Sequence, residues 1–201
     1  MSFNFNPPRF KKIDIDDIID FKGLILADFH LYESETSFEE DDLLIKNLKL
    51  LVAKVNPTHV FVLGDIIHFL YYRSDKWYYN FFNKLESNFK IPIYIIPGNH
   101  DYSENPPFKN CFDLYGCKKN VKCFEVEILE IQYSDEFSVF LGHDVGFNCS
   151  VHGKKNVIKW MNIIRNHKYC SKIIKNNDVF IVGHTHENID DDKTKNYSIA
   201  P

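Results

Sequence analysis

Residues able to hold a metal ion recur at the ends of short apolar runs along this 201-residue chain. They fall in five segments: Asp28-Phe29-His30, Gly64-Asp65, Gly98-Asn99-His100-Asp101, Gly142-His143 and Gly183-His184-Thr185-His186. Imidazole and carboxylate together favour borderline divalent ions, manganese first, with iron or zinc and then nickel or magnesium as alternatives, whereas an oxygen-only set would suit magnesium or calcium. The candidate ligands are too many for one tetrahedral site and suffice for two ions if one carboxylate bridges. Two ions roughly 3.5–4 Å apart clamp a phosphate and lower the pKa of a water between them. The glycines that precede these residues let the chain turn sharply off a strand without a Cβ clash.

The elements that must carry these residues follow from the apolar pattern. The β-branched runs Gly23–Ala27, His59–Leu63, Ile91–Ile96, Phe124–Leu129, Phe137–Leu141 and Val179–Val182 predict strands buried on both faces. Ser37-Phe38-Glu39-Glu40 reads as a capping box that opens a helix, with Leu43, Leu44, Leu48, Leu51 and Val52 on its apolar face. A second helix is predicted from Ser74 through Trp77, Phe81, Phe82 and Leu85. A third begins at about Lys154, with Val157, Trp160, Met161 and Ile164 on one face. Strands alternating with helices early, then strands in succession, predict an α/β fold with a mixed sheet. With no repeats or linkers, residues 1–201 read as a single domain. Ligands at successive strand ends would gather along one edge of the sheet, where open α/β sheets bind their ligands.

Composition narrows the function classes. The net charge of −4 gives no overall pull toward nucleic acid or an anionic membrane. No apolar run approaches the roughly 18 residues that span a bilayer, and the N-terminus lacks a basic-then-apolar signal, so a cytoplasmic location is expected. Five cysteines (Cys111, Cys117, Cys123, Cys149 and Cys170) without a CxxC pair fit reduced thiols.

The ordered set Asp-x-His, Gly-Asp, Gly-Asn-His-Asp, Gly-His, Gly-His-Thr-His, from about Gly23 to His186, resembles the calcineurin-like metallophosphoesterase superfamily. The resemblance implies a four-layer αββα sandwich with a binuclear site at the strand ends. Asp28, His30 and His186 would hold the first metal, Asp65 would bridge, and Asn99, His143 and His184 would hold the second. His100 would contact the phosphate and protonate the leaving oxygen, with Asn99 beside it, and Asp101 would orient its surroundings. The implied reaction is hydrolysis of a phosphate mono- or diester through attack by a metal-bound hydroxide. Relatives often show His-Gly at the His143 position, which makes His152-Gly153 a rival. His143 is the expected ligand because it directly follows the strand Phe137–Leu141.

Departures from the family pattern guide the choice of branch. His68 stands where many relatives have a second acid, and the arginine that follows that acid in phosphoprotein phosphatases is missing, which disfavours protein phosphatase activity. His68 is either a helix-start residue or a neighbour of the site. Gly-Asp-x-x-His is closer in style to repair nucleases and to phosphoesterases associated with DNA ligases. Asp28-Phe29-His30-Leu31 also resembles the lipid A pathway hydrolase that cleaves UDP-diacylglucosamine, which usually has Arg where His100 stands. A scaffold with the same fold but no catalysis is the remaining alternative. The aromatics from Phe69 to Phe82 read as a core helix face or a base-stacking surface. Residues 151–177 hold seven Lys or Arg and no acid, a candidate nucleic-acid contact, while residues 14–42 hold eleven acids. Oligomeric state is open.

Overall fold

The computed structural model describes residues 8–15, 20–31, 37–66, 75–98, 100–101, 119–143, 154–185, 188–191 and 195–198, some of the helix and strand positions by backbone alone. In chain order the elements are β1 (Phe10–Ile13), β2 (Gly23–Leu26), α1 (Ser37–Val55), β3 (His59–Leu63), α2 (Asp75–Asn88), β4 (Ile93–Ile96), β5 (Val121–Cys123), β6 (Ile128–Gln132), β7 (Ser138–Gly142), α3 (Lys154–Asn166), a 3-10 turn (Cys170–Lys172), β8 (Val179–Val182), β9 (Ile189–Asp191) and β10 (Asn196–Ser198).

These strands form two sheets. One has the order β2-β3-β4-β5 and is parallel throughout. The other, β1-β6-β7-β8-β10-β9, is mixed, with antiparallel pairs at β6–β7 and β9–β10. Mixed pairing is therefore confined to the larger sheet. The parallel strands need crossovers, which α1 and α2 supply in one sheet and α3 in the other.

Three apolar clusters stack these elements into the expected αββα order. Phe61, Leu63, Tyr94 and Ile96 of the parallel sheet meet Leu129, Ile131 and Leu141 of the mixed sheet. Val60, Val62, Ile93 and Ile95, on the opposite face of the parallel sheet, pack against Ile45 and Leu48 of α1 and Trp77, Phe81, Phe82 and Leu85 of α2. Phe140, Phe180 and Val182 pack against Met161 and Ile164 of α3. Each fully buried side chain of this size contributes about 1.5–3 kcal/mol relative to exposure.

Several boundaries differ from the expectations. The run 124–129 is mostly a connection: β5 ends at Cys123, the Phe124 N–H makes a last bond to the Ile95 carbonyl of β4 at 2.9 Å, and β6 starts only at Ile128. β1, β9 and β10 are too short and polar to show an apolar run. On α1, Leu48 is buried and Leu44 and Val52 pack against the core as expected, joined by Ile45 and Asp41, while Leu43 is 56% exposed. Asp41 belongs to that inner face because its carboxylate accepts the Trp77 indole N–H at 2.9 Å and joins the two helices. That contact, with Phe81 and Phe82 in the core, supports a packing role for the described aromatics of α2, except Tyr79, which is 48% exposed. Phe69, Tyr71 and Tyr72 lie outside the described residues. No described helix is long and apolar enough to cross a membrane.

Candidate metal centre

Parallel pairing of β3 with β2 and with β4 puts the residues that follow these strands at one edge. Parallel pairing of β7 with β8 does the same for His143 and His184. The backbone then departs from strand geometry at the candidate ligands themselves. Asp28 (φ 58°), His30 (φ 46°), Asp65 (φ 51°) and His184 (φ 67°) are all left-handed, a conformation that Asp and His tolerate better than most residues but that still costs about 1–3 kcal/mol each. A left-handed residue breaks the strand alternation and turns its side chain toward the sheet edge. Hydrogen bonds hold these turns. The N–H of Asp28 donates to the Gly64 carbonyl at 3.1 Å and that of His30 to the Asp65 carbonyl at 2.9 Å.

The buried Asp65 carboxylate is the focus. Its Oδ2 lies 3.2 Å from His143 Nε2, 3.8 Å from His100 Nε2 and 4.0 Å from His30 Nε2. Its Oδ1 accepts the His100 backbone N–H at 2.9 Å. Asp28, also buried, has Oδ1 3.8 Å from His30 Nε2, and its Oδ2 accepts the His184 N–H at 3.0 Å. The His143 and His184 rings meet edge to face at 5.1 Å, as do His30 and His100 at 4.9 Å. Burial pushes the Asp65 carboxyl up, but the His143 hydrogen bond and charge, with the His100 N–H and charge, outweigh it and hold the group below its ordinary value.

The donor set fits divalent ions. His30, Asp65 and His100 form one group and Asp65, His143 and His184 another, with the ligand atoms of each within 4.8 Å of one another and Asp65 common to both. Bonds of about 2.1 Å separate neighbouring ligands in a tetrahedral or octahedral shell by about 3.0–3.4 Å; the His143–Asp65 separation of 3.2 Å falls in that range, and those of His100 and His30, at 3.8 and 4.0 Å, lie above it. The clearest sign is at His143. Its Nδ1 donates to the Leu63 carbonyl at 2.6 Å, which in the neutral ring leaves the Nε2 lone pair facing the Asp65 carboxylate. At 3.2 Å the two atoms share either a proton, the hydrogen bond that lowers the Asp65 pKa, or a divalent cation that takes the proton's place.

The structure thus brings together Asp28, His30, Asp65, His100, His143 and His184 from the expected set. Asn99 and His186 lie outside the described residues, as do His68 and His152. His143 lies in the cluster, where the strand-end argument put it. His59 stacks on Tyr94 at 5.9 Å and takes no part. Sequence reasoning missed the packing needs of two glycines. A Cβ on Gly98 would sit 2.1 Å from Asp65 Oδ1, and one on Gly183 would sit 2.8 Å from Ala27 Cβ and 3.1 Å from His143 Nδ1. The Gly-before-ligand pattern was the available signal, but it suggested turning rather than close approach.

A family model described as calcineurin-like phosphoesterase matches residues 21–188. Among solved structures, the chain is similar to nuclease MPE from Pseudomonas putida, at 16% identity and a TM-score of 0.42, covering 83% of this chain and 62% of that one. It is also similar to a dimetal phosphatase from Danio rerio, at 14% identity and a TM-score of 0.49, covering 90% of this chain and 86% of that one. The chain thus spans less than two thirds of the nuclease's length. No curated protein matches by sequence.

Proposed function

The chain belongs to the calcineurin-like phosphoesterase family; we propose that it is a metal-dependent phosphoester hydrolase, that the cluster around Asp65 is its active site, that it takes two manganese ions, and that its substrate is a phosphodiester of a nucleotide or nucleic acid. The observation that carries the reading is the convergence of His30, His100 and His143 on the single oxygen Oδ2 of Asp65. Asp28, His30, Asp65 and His186 would hold one ion, and Asp65, Asn99, His143 and His184 the other. When bound, the two ions supply positive charge to the phosphoryl oxygens and bring the pKa of a water toward neutrality.

The chain's own residues do the rest. Asp65 keeps its charge at neutral pH, because its carboxyl is held below the ordinary carboxylate value, and so can serve both ions. His143 is locked by the Leu63 carbonyl with Nε2 aimed at the centre. His100 is partly exposed, with Nε2 at the edge of the cluster, and its role is to hold a proton there and deliver it to the departing oxygen.

A nucleic-acid substrate is the finer reading, supported by the acid-free basic segment 151–177. Arg165 donates to the carbonyls of Lys175 and Asp178, just before β8, whereas His184 lies just after it. The far part of the basic segment therefore stands about one strand length, roughly 13 Å, from the centre. A substrate touching both would be a chain of several nucleotides. The test is turnover of bis(p-nitrophenyl) phosphate, p-nitrophenyl phosphate and single-stranded oligonucleotides of increasing length by the manganese-loaded chain, with elemental analysis of the same sample. Two ions per chain with diester turnover that rises with length is expected. Two ions without turnover of any ester would leave the scaffold reading.

A further inference from the structure

Asp101 follows the expected proton donor by one residue, and its side chain is fully buried, at 0% exposure, so water cannot reach its carboxylate. Both oxygens are engaged by backbone. Oδ2 accepts the Gly98 N–H at 2.8 Å, within its own loop. Oδ1 accepts the Ile66 N–H at 3.1 Å, from the loop after β3. The reverse contact also exists, because Asp65 in the loop after β3 accepts the His100 N–H, from the loop after β4, through its Oδ1. Each loop thus sends a carboxylate across to a backbone N–H of the other.

We propose that Asp101 is a positioning residue, one half of a reciprocal crossover between these loops that commits Asp65 Oδ1 to His100 N–H and so leaves Oδ2 alone to face the imidazoles. The inference rests on the two-metal reading of Asp65 and adds how that carboxylate is held. All three imidazole approaches to Asp65 are to Oδ2. Without the crossover, rotation of the Asp65 carboxylate would exchange its oxygens. Gly98 closes the device from the other side, because Asp65 fills the space a Cβ would need. The role requires a carboxylate: an Asn at 101 offers one acceptor oxygen and turns an N–H donor toward one of the two N–H groups.

The test compares wild type with Asp101→Asn in two ways. In chelator-treated protein, amide hydrogen exchange of Ile66, Gly98 and His100 should be slow in wild type and about 10-fold or more faster in the variant, the weight of a hydrogen bond to a charged group. Calorimetric manganese titration should show both ions bound about 10- to 100-fold more weakly by the variant. Turnover at saturating manganese should return toward the wild-type value, and in the chelator-treated variant the amides of Leu129 and Phe180 should keep their wild-type exchange, which a general loss of folding would not allow. Exchange of the wild-type Ile66 and Gly98 amides at the rate of open loops overturns the proposal, as does unchanged manganese affinity in the variant. Wild type that takes up no manganese sinks the metal reading instead, and the exchange comparison still decides the crossover. Should Asp101→Asn not fold, Asp101→Ser, which keeps one short acceptor, carries the same comparison.

Discussion

Buried and half-buried carboxylates stand at both ends of the strands, and they are used in opposite ways. At the ends where the strands begin, Asp178 accepts the N–H of Ser138 at 2.8 Å and that of Lys175, while Glu86 accepts the N–H groups of Asn120 and Val121. These acids close the entries to β5, β7 and β8. Arg165 completes that end by donating to the carbonyls of Lys175, Asp178 and Lys195; burial lowers its pKa and the Asp178 charge raises it. At the ends where the strands finish, Asp65 and Asp28 still accept one backbone N–H each, but their second oxygens face imidazole nitrogens. A carboxylate with both oxygens on backbone N–H donors is structural. One whose second oxygen faces imidazole nitrogens is placed to share them with a proton or a cation.

The comparison can be broken by exchanging acids for neutral isosteres at the two ends. The largest effect is expected from Asp65→Asn. It should abolish tight binding of both manganese ions and lower turnover at least as far as the general-acid variant does, read by elemental analysis and diester hydrolysis. Next, His100→Asn should leave manganese uptake nearly intact and reduce turnover by about 10²–10⁴-fold. A variant that loses its metals would show that His100 is a ligand, which its place in the group with His30 and Asp65 would then explain. At the opposite end, Asp178→Ala leaves the Ser138 N–H without its acceptor and should destabilise by about 1–3 kcal/mol, with metal content and per-molecule turnover unchanged. The melting temperature should fall by about 2–4 °C per kcal/mol in a chain of this size.

How much of this was legible depended on whether the signal was local. The residues that cluster around Asp65 were readable because each sits where an apolar run stops, and Gly64, Gly98 and Gly183 mark the stop. The exchange of Leu43 for Ile45 and Asp41 on the inner face of α1 was not readable, since Leu43 and Ile45 look alike in sequence and only the Trp77 partner makes Asp41 an inward residue. Glu86 and Asp178 look like any surface acid, because what distinguishes them is a strand start 35 or 40 residues away. β9 and β10 escaped for the same reason: their pairing is with each other and with β8, not with an apolar pattern of their own.

The smallest expected effect concerns Cys170, fully buried under α3 and remote in kind from the charged ends. Burial raises its thiol above the ordinary 9.0. The neutral form is the one the fold prefers, so this contribution is fully present below pH 9.0 and is lost as pH rises through the folded value. Urea midpoints measured between pH 8 and pH 10 should fall less steeply for Cys170→Ala than for wild type, although the variant is less stable at every pH.

Because Asp28, His30 and Asp65 descend from the parallel sheet while His143 and His184 descend from the mixed one, whatever cation they grip is also a rivet through the sandwich. Affinity for that ion and cohesion of the two halves become one quantity, worth about 2.7 kcal/mol when the ion stands at a hundred times its Kd. A chelator would then act as a mild denaturant, and scarcity of the ion would shorten the life of the folded chain as well as silence it.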